Sequence, residues 1–348
     1  MPSLPIPVQT SYQELLQRFG AAPSVSIEGS LVRIEKSGRG YWVARRRVGD
    51  RVTEEAIGPD TPEVLVRVEA ARADQAVYRA WNERNAALVA MLRAAGALTP
   101  DQETGKILLA LSRVGFFRAG GLLGGTHAFR LYPLLLGVEA PRSEMSVTGD
   151  VDMLAPTHIR LLGPREALST RLKAAGLAFE TRFGLEEDTP PKLIVGDTVE
   201  VEILSPVSRG GARSHFHEGL QERVSALKFL EFSLKEPTRQ VALYRGGVEV
   251  LIPAPERYAL HKLIVAQLRQ GAFRQKKEKD LAQASWLLEL LAETRPYEIW
   301  SAYRDLTSRG PSWVRHLTAS LKEAPRAAAA LKRVREEFAD PDEDPITA

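Results

Sequence analysis

Residues 124–138, GGTHAFRLYPLLLGV, followed by residues 148–153, TGDVDM, decide how the rest of the chain is read. Gly124-Gly125-Thr126 is a glycine pair with a hydroxyl residue directly behind it. Glycines let backbone N–H groups approach a phosphate closely, because no side chain stands in the way. The spacing places this turn between two helices, the second short and apolar and ended by Gly137. The stretch SVTGDVDMLA (146–155) alternates as a strand. Asp150 and Asp152 are two residues apart in it, so both carboxylates point to one sheet face. Two carboxylates on a rigid strand form a hard-oxygen pair suited to Mg²⁺.

Working outward, KLIVGDTVEVEILSP (192–206) reads as two strands joined at Gly196-Asp197. Glu200 and Glu202 share a face of the second strand. Glu202 would be a third carboxylate, enough for two metal ions about 4 Å apart. Glu200 reads instead as part of an exposed strand face. A basic stretch from Arg269 to Lys279 offers cations to balance a triphosphate. Arg209 and Arg213 flank glycines in PVSRGGARSHF (206–216). They form either a loop at the active edge, touching triphosphate or acceptor, or a plain surface loop. Singly, a Gly-Gly turn or a D-x-D is common; the ordered set is far more specific.

That ordered set resembles the nucleotidyltransferase-fold family within the DNA polymerase β superfamily. Gly124, Gly125 and Thr126 match its turn, Asp150 and Asp152 its paired acids, and Glu202 its third carboxylate, where relatives commonly carry Asp. Two further stretches carry the likeness. GYWVARRRVGDRVTEEAIGPDT (40–61) is similar to the family's aromatic-rich meander. PAPERYALHKLIVAQLR (253–269) with KKEKDLAQASWLLELL (276–291) is similar to its helical part, with a K-D-L-x-Q-A signature. The resemblance implies an α+β fold: a polymerase-β-like core with a mixed sheet, an N-terminal β-meander and a C-terminal helical bundle. It implies transfer of an NMP from an NTP substrate to an acceptor hydroxyl, with Asp150, Asp152 and Glu202 as catalytic ligands of Mg²⁺ or Mn²⁺. The related abortive-infection toxin nucleotidyltransferases carry a comparable basic-plus-acid helix. By that likeness Lys262, Lys276 and Lys279 contact phosphates, and Asp280 either orients a lysine or touches the nucleotide. The same likeness suggests an RNA end, tRNA first, as acceptor and a cognate antitoxin as partner.

The length of 348 residues fits two or three domains. Residues 1–98 are expected to hold the meander and a long helix, 99–235 the core, 236–340 a hairpin and the helical bundle, and 341–348 a disordered tail. The long helix is capped by Thr61-Pro62-Glu63, with Leu65, Val68, Ala71, Tyr78, Trp81, Leu88, Met91 and Leu92 in its apolar period. The next starts at a T-x-x-Q box, Thr99 to Gln102, and runs to about Ala119. A formal charge of +3 does not by itself announce a nucleic-acid protein. The absence of cysteine excludes disulfides, thiolate zinc sites and cysteine nucleophiles. There is no signal-peptide pattern and no uncharged apolar run of 18 residues, so a cytoplasmic chain that meets no membrane is expected.

Several residues carry two readings. His127 faces the nucleotide or packs. His261 reads as structural. His215 and His217 have zinc-like H-x-H spacing but lack a third ligand. Tyr41 and Trp42 beside Arg45, Arg46 and Arg47 either stack on RNA or pack the meander onto its neighbour. Besides a transferase, two other functions fit: an inactive fold that binds RNA or nucleotide, and a metal-dependent phosphohydrolase using the same acids.

Overall fold

The computed structural model describes residues 1–48, 51–141, 145, 148–182, 190, 192–196, 198–207, 213–269 and 274–338. The Gly49-Asp50 turn, Asp197, Arg209, the helix break at Gly271 and the C-terminal tail lie outside the described residues.

The architecture is α+β. Helix α1 (Ile6–Gly20) opens the chain, with a proline in its first turn, where a missing N–H costs nothing. It is absent from the sequence reading, and tertiary contacts hold it. Tyr12 and Leu15 are fully buried, and the Tyr12 hydroxyl lies 2.8 Å from Gln240 Oε1. Strands β1 (Ser30–Lys36), β2 (Arg39–Val48) and β3 (Arg51–Pro59) form the expected antiparallel meander. Trp42 of β2 packs on Val64 and Val68 of α2 (Pro62–Ala94), and its indole N–H donates to Asp60 at 2.9 Å. Packing, not base stacking, therefore occupies this ring. Thr61 caps α2 as expected. Leu65, Tyr78 and Met91 are exposed, however. The buried stripe keeps the expected Val68, Ala71, Leu88 and Leu92 and adds Val64 and Val89, because the meander and α1 touch only that side.

Helix α3 (Gln102–Arg113) corrects two expectations. Its N-cap is Asp101, not Thr99: the Asp101 carboxylate accepts from the Thr104 amide and hydroxyl, both at 2.8 Å. It also stops at Arg113, and the chain turns from Val114 to Gly120 rather than continuing as helix to Ala119. A two-residue strand, β4 (Leu122–Leu123), then precedes the glycine turn, so the turn joins strand to helix and not helix to helix. Two short helices follow, α4 (Gly125–Phe129) and α5 (Tyr132–Leu136).

The central sheet is built from β4, β5 (Asp150–Leu154), β6 (Glu180–Arg182), β7 (Lys192–Val195), β8 (Val199–Pro206), β9 (Ser214–His217) and β10 (Glu222–Leu227), with α6 (Leu168–Ala174) packed beside it. Its main path runs β4-β5-β8-β10-β9, with β7 on β8 and β6 on β7. The β5/β8 and β8/β10 pairs are parallel and the others antiparallel, so the sheet is mixed. After α7 (Leu230–Ser233), the hairpin β11 (Thr238–Ala242) and β12 (Val248–Ile252) turns through Gly246-Gly247. Helices α8 (Pro255–Ala266), α9 (Arg274–Thr294), α10 (Pro296–Ser308), α11 (Pro311–Glu323) and α12 (Pro325–Phe338) complete the chain. Four of these five begin with proline, which suits a first helical position.

One continuous hydrophobic core includes Val151 and Met153 of β5, Val201 of β8, Leu263 of α8 and Leu291 of α9. Strand alternation therefore sinks Val151 and Met153 into the core and turns Asp150 and Asp152 the other way. Among the described residues no helix is long and apolar enough to cross a membrane.

Candidate active site

The parallel register of β5 and β8 sets Asp150 beside Glu200 and Asp152 beside Glu202. Four carboxylates thus line one sheet face. Glu200 is held by Lys192, 2.7 Å away, as an edge ion pair. The other three have different partners. Asp150 Oδ2 lies 2.8 Å from Lys276 Nζ, and Glu202 Oε1 accepts from the Ser225 hydroxyl at 2.8 Å.

Asp152 rests against the glycine turn. The Gly124 amide donates to Asp152 O at 2.8 Å, tying turn to strand. Gly125 sits at φ 54°. A Cβ there would overlap Asp152 Oδ2 and lie 2.9 Å from its Cγ. Gly125 is therefore fixed both by its backbone and by the carboxylate against it. Thr126 is buried behind it. His127 is buried as well. Burial first, then Arg130, pushes its imidazole down to about 4, so the ring is neutral at physiological pH. Its Nε2 has no hydrogen-bond partner among the described residues. His127 is thus a buried, neutral ring within electrostatic reach of Asp150 and Lys279.

The cations come from the helical part. Lys262 of α8 pairs with Asp280 of α9, and Arg269 Nε lies 3.2 Å from the other Asp280 oxygen. Burial pushes the Asp280 carboxyl up, but Lys262 and Arg269 outweigh it and hold it below the ordinary range. Asp280 is 1% exposed, so of its two expected roles the geometry fits the one that orients a lysine. Lys279 is half-buried, and burial followed by the nearby Lys262 lowers its ammonium. Lys262, Asp280, Lys276 and Asp152 all act on Lys279 electrostatically.

Asp152 behaves in the opposite way to Asp280. Burial raises its carboxyl above the ordinary range; Lys262 opposes this, and Glu202 and Asp150 add to it. Among the described residues no three His, Cys, Asp or Glu side chains already stand together as a metal cage. That agrees with the separate partners of Asp150 and Glu202. The donor set itself fits a hard divalent cation: three carboxylates on one face, with ionisation of the central one disfavoured first by burial and further by the other two.

The structure thus brings together Gly124, Gly125, Asp150, Asp152, Glu202, Lys262, Lys276, Lys279 and Asp280, with Thr126 just behind. It does not assemble a zinc site at H-x-H: His217 Nε2 meets Pro156 O at 3.0 Å, and burial lowers His215. His261 is buried and pushed down to about 3, as a structural histidine should be. Residues that sequence reasoning missed are Tyr258, Gln283 and Ser225. Gln283 had a signal, because it is the glutamine of K-D-L-x-Q-A. Tyr258 had only its place one helical turn before Lys262.

No curated protein matches the chain. A crystal structure of an antigenic nucleotidyltransferase-like protein from Paracoccidioides brasiliensis aligns over 68% of this chain and 94% of that one, at 16% identity and a TM-score of 0.38. That likeness is too loose to assign anything to this chain. A match to a protein family is firmer: residues 102–308, more than half of the sequence and spanning the glycine turn, the acidic strands and α8 to α10, fit the family described as Nucleotidyltransferase. The chain belongs to that nucleotidyltransferase family.

Proposed function

We propose that the chain is a metal-dependent transferase of the DNA polymerase β type, moving an NMP from an NTP to an acceptor hydroxyl. The observation that carries this reading is the in-register set Asp150, Asp152 and Glu202 beside Gly125, faced by Lys262, Lys276 and Lys279. A bond forms between the acceptor oxygen and the α-phosphorus, and the bond from that phosphorus to the β-phosphate oxygen breaks. Pyrophosphate leaves. Asp150, Asp152 and Glu202 would hold Mg²⁺ or Mn²⁺, which when bound supplies positive charge to the attacking and leaving oxygens. Glu202, hydrogen-bonded to Ser225, would take the acceptor's proton. The Gly124–Thr126 turn and the lysines receive the β- and γ-phosphates.

The acceptor proposed by likeness to the toxin enzymes is an RNA end, tRNA first. The test incubates the protein with Mg²⁺ or Mn²⁺, each α-labelled NTP, and total RNA or cell lysate. Label should join an acceptor in wild type and not in the Asp150→Ala, Asp152→Ala double variant. Transfer that survives both substitutions removes the acids from the mechanism. Phosphate release without a labelled acceptor would instead mark a phosphohydrolase.

A further inference from the structure

Asp280 and Gln283 are three residues apart on α9, and Tyr258 and Lys262 four apart on α8, so each pair shares a helix face. The faces meet in two rungs. One is Lys262 to Asp280; the other is Tyr258 to Gln283, with the hydroxyl 2.8 Å from Oε1. Tyr258 and Gln283 are both buried. The amide's orientation is fixed, because Gln283 Nε2 donates to Met145 O at 2.6 Å and so turns Oε1 to the tyrosine. The same hydroxyl lies 3.0 Å from Gly125 O. Both neighbours are acceptors, and the hydroxyl has one proton. That proton is shared between the two carbonyl oxygens. The ring is held by Tyr132 and Phe129, at 5.1 and 6.3 Å between centroids.

Gly125 is also the residue against which the Asp152 carboxylate rests. Its carbonyl belongs to the same planar peptide as the Thr126 N–H, which points the opposite way. Holding the carbonyl therefore fixes both the seat of Asp152 and the direction of that N–H.

We propose that Tyr258, oriented by Gln283, is the positioning residue of this site: by holding the Gly125 carbonyl it sets where the Asp152 carboxylate sits, and so how tightly the acidic set binds a divalent cation. The proposal rests on the reading that Asp150, Asp152 and Glu202 hold that cation.

The test is Mn²⁺ binding to the full chain, followed by electron paramagnetic resonance without nucleotide, so that no turnover is needed. Tyr258→Phe keeps the ring and removes one oxygen. It should weaken Mn²⁺ binding roughly tenfold, the low end of what losing an outer partner of a metal site costs, since Tyr258 acts through Gly125 and not on a carboxylate directly. Gln283→Leu should do the same. Leu291→Ala is the packing control: Leu291 is fully buried about two turns further along α9. It should lower the melting temperature and leave Mn²⁺ affinity within about twofold. The proposal is overturned if Tyr258→Phe binds like wild type while Asp152→Asn loses binding, or if Leu291→Ala weakens Mn²⁺ as much as Tyr258→Phe. Equal binding by wild type and Asp152→Asn overturns the metal reading itself, and this proposal with it.

Discussion

Gly125→Ala separates backbone strain from damage to the acidic site. The alanine would stand at φ 54°, where an L side chain costs about 1–2 kcal/mol. Its Cβ would also overlap Asp152 Oδ2 and lie 2.9 Å from Cγ and 3.3 Å from Cβ of the same residue. The strand cannot back away, because the Gly124 amide and the β5/β8 ladder hold Asp152's backbone. The carboxylate must rotate instead, by on the order of 1 Å, and a misplacement of that size costs about 10²-fold in rate. Gly38→Ala is the matched control: Gly38 has φ 72°, and a methyl group on its Cα would meet nothing within 4 Å. Label-transfer rates and thermal unfolding should be measured on both variants. Gly38→Ala should lose about 1–2 kcal/mol and Gly125→Ala about 1–3 kcal/mol more for the overlap, but only Gly125→Ala should lose about two orders of magnitude in rate. A Gly125→Ala enzyme within twofold of wild type would refute the claim that Gly125 seats the Asp152 carboxylate.

Asp152→Asn should raise the melting temperature of the cation-free protein at pH 7. The folded carboxyl titrates above its ordinary 3.8, so ionising it costs folded-state stability as pH rises, and asparagine escapes that cost. The gap should close as the pH falls below about 4, and a lower melting point at pH 7 would contradict the reading. Asp280→Asn should cost about 3–5 kcal/mol in chemical denaturation, since it strands the buried Lys262. In wild type the Asp280 contribution is present above 3.8 and is lost as pH falls through its depressed folded value. Lys276→Gln breaks a solvent-exposed pair and should change stability by less than about 1 kcal/mol. It should nevertheless raise the KM for NTP, most at low ionic strength, and a salt-independent KM would count against Lys276 as a phosphate contact. Asp101→Ala should cost about 1 kcal/mol and Thr99→Ala nearly nothing, as thermal unfolding of each would show.

What the sequence revealed depended on how local the cause was. Asp150 and Asp152 share a face because strands have a period of two, and no distant residue is needed to decide it. Prolines at helix starts and Thr61 as a cap are equally local. The glycine turn was legible as a turn, but the strand before it was not, because two residues become a strand only by pairing with β5. Helix α1 stayed hidden for the same reason: Tyr12 finds its partner 228 residues away in Gln240. Thr99 and Asp101 both look like caps in the sequence, and side-chain reach to the Thr104 amide decided between them.

The two central aspartates show why the site could be located but not fully explained from residue types. Asp280 is buried and Asp152 partly so, and burial alone would raise both. Asp280 is nonetheless lowered, because Lys262 and Arg269 contact it directly. Asp152 is raised, because burial dominates there: Lys262 opposes it only from its pairing with Asp280, and Glu202 and Asp150 add to the rise. A formal charge of +3 contains no trace of this division. Lys262 is committed to the acid that braces α8 against α9; Lys276 pairs with Asp150 and Lys192 with Glu200, but among the described residues Asp152 and Glu202 have no ion pair. Their unmet demand for positive charge is the electrostatic ground for proposing that a divalent cation and a polyphosphate meet there, and that Lys276 and Lys279 face the phosphates and not the acids once both are bound.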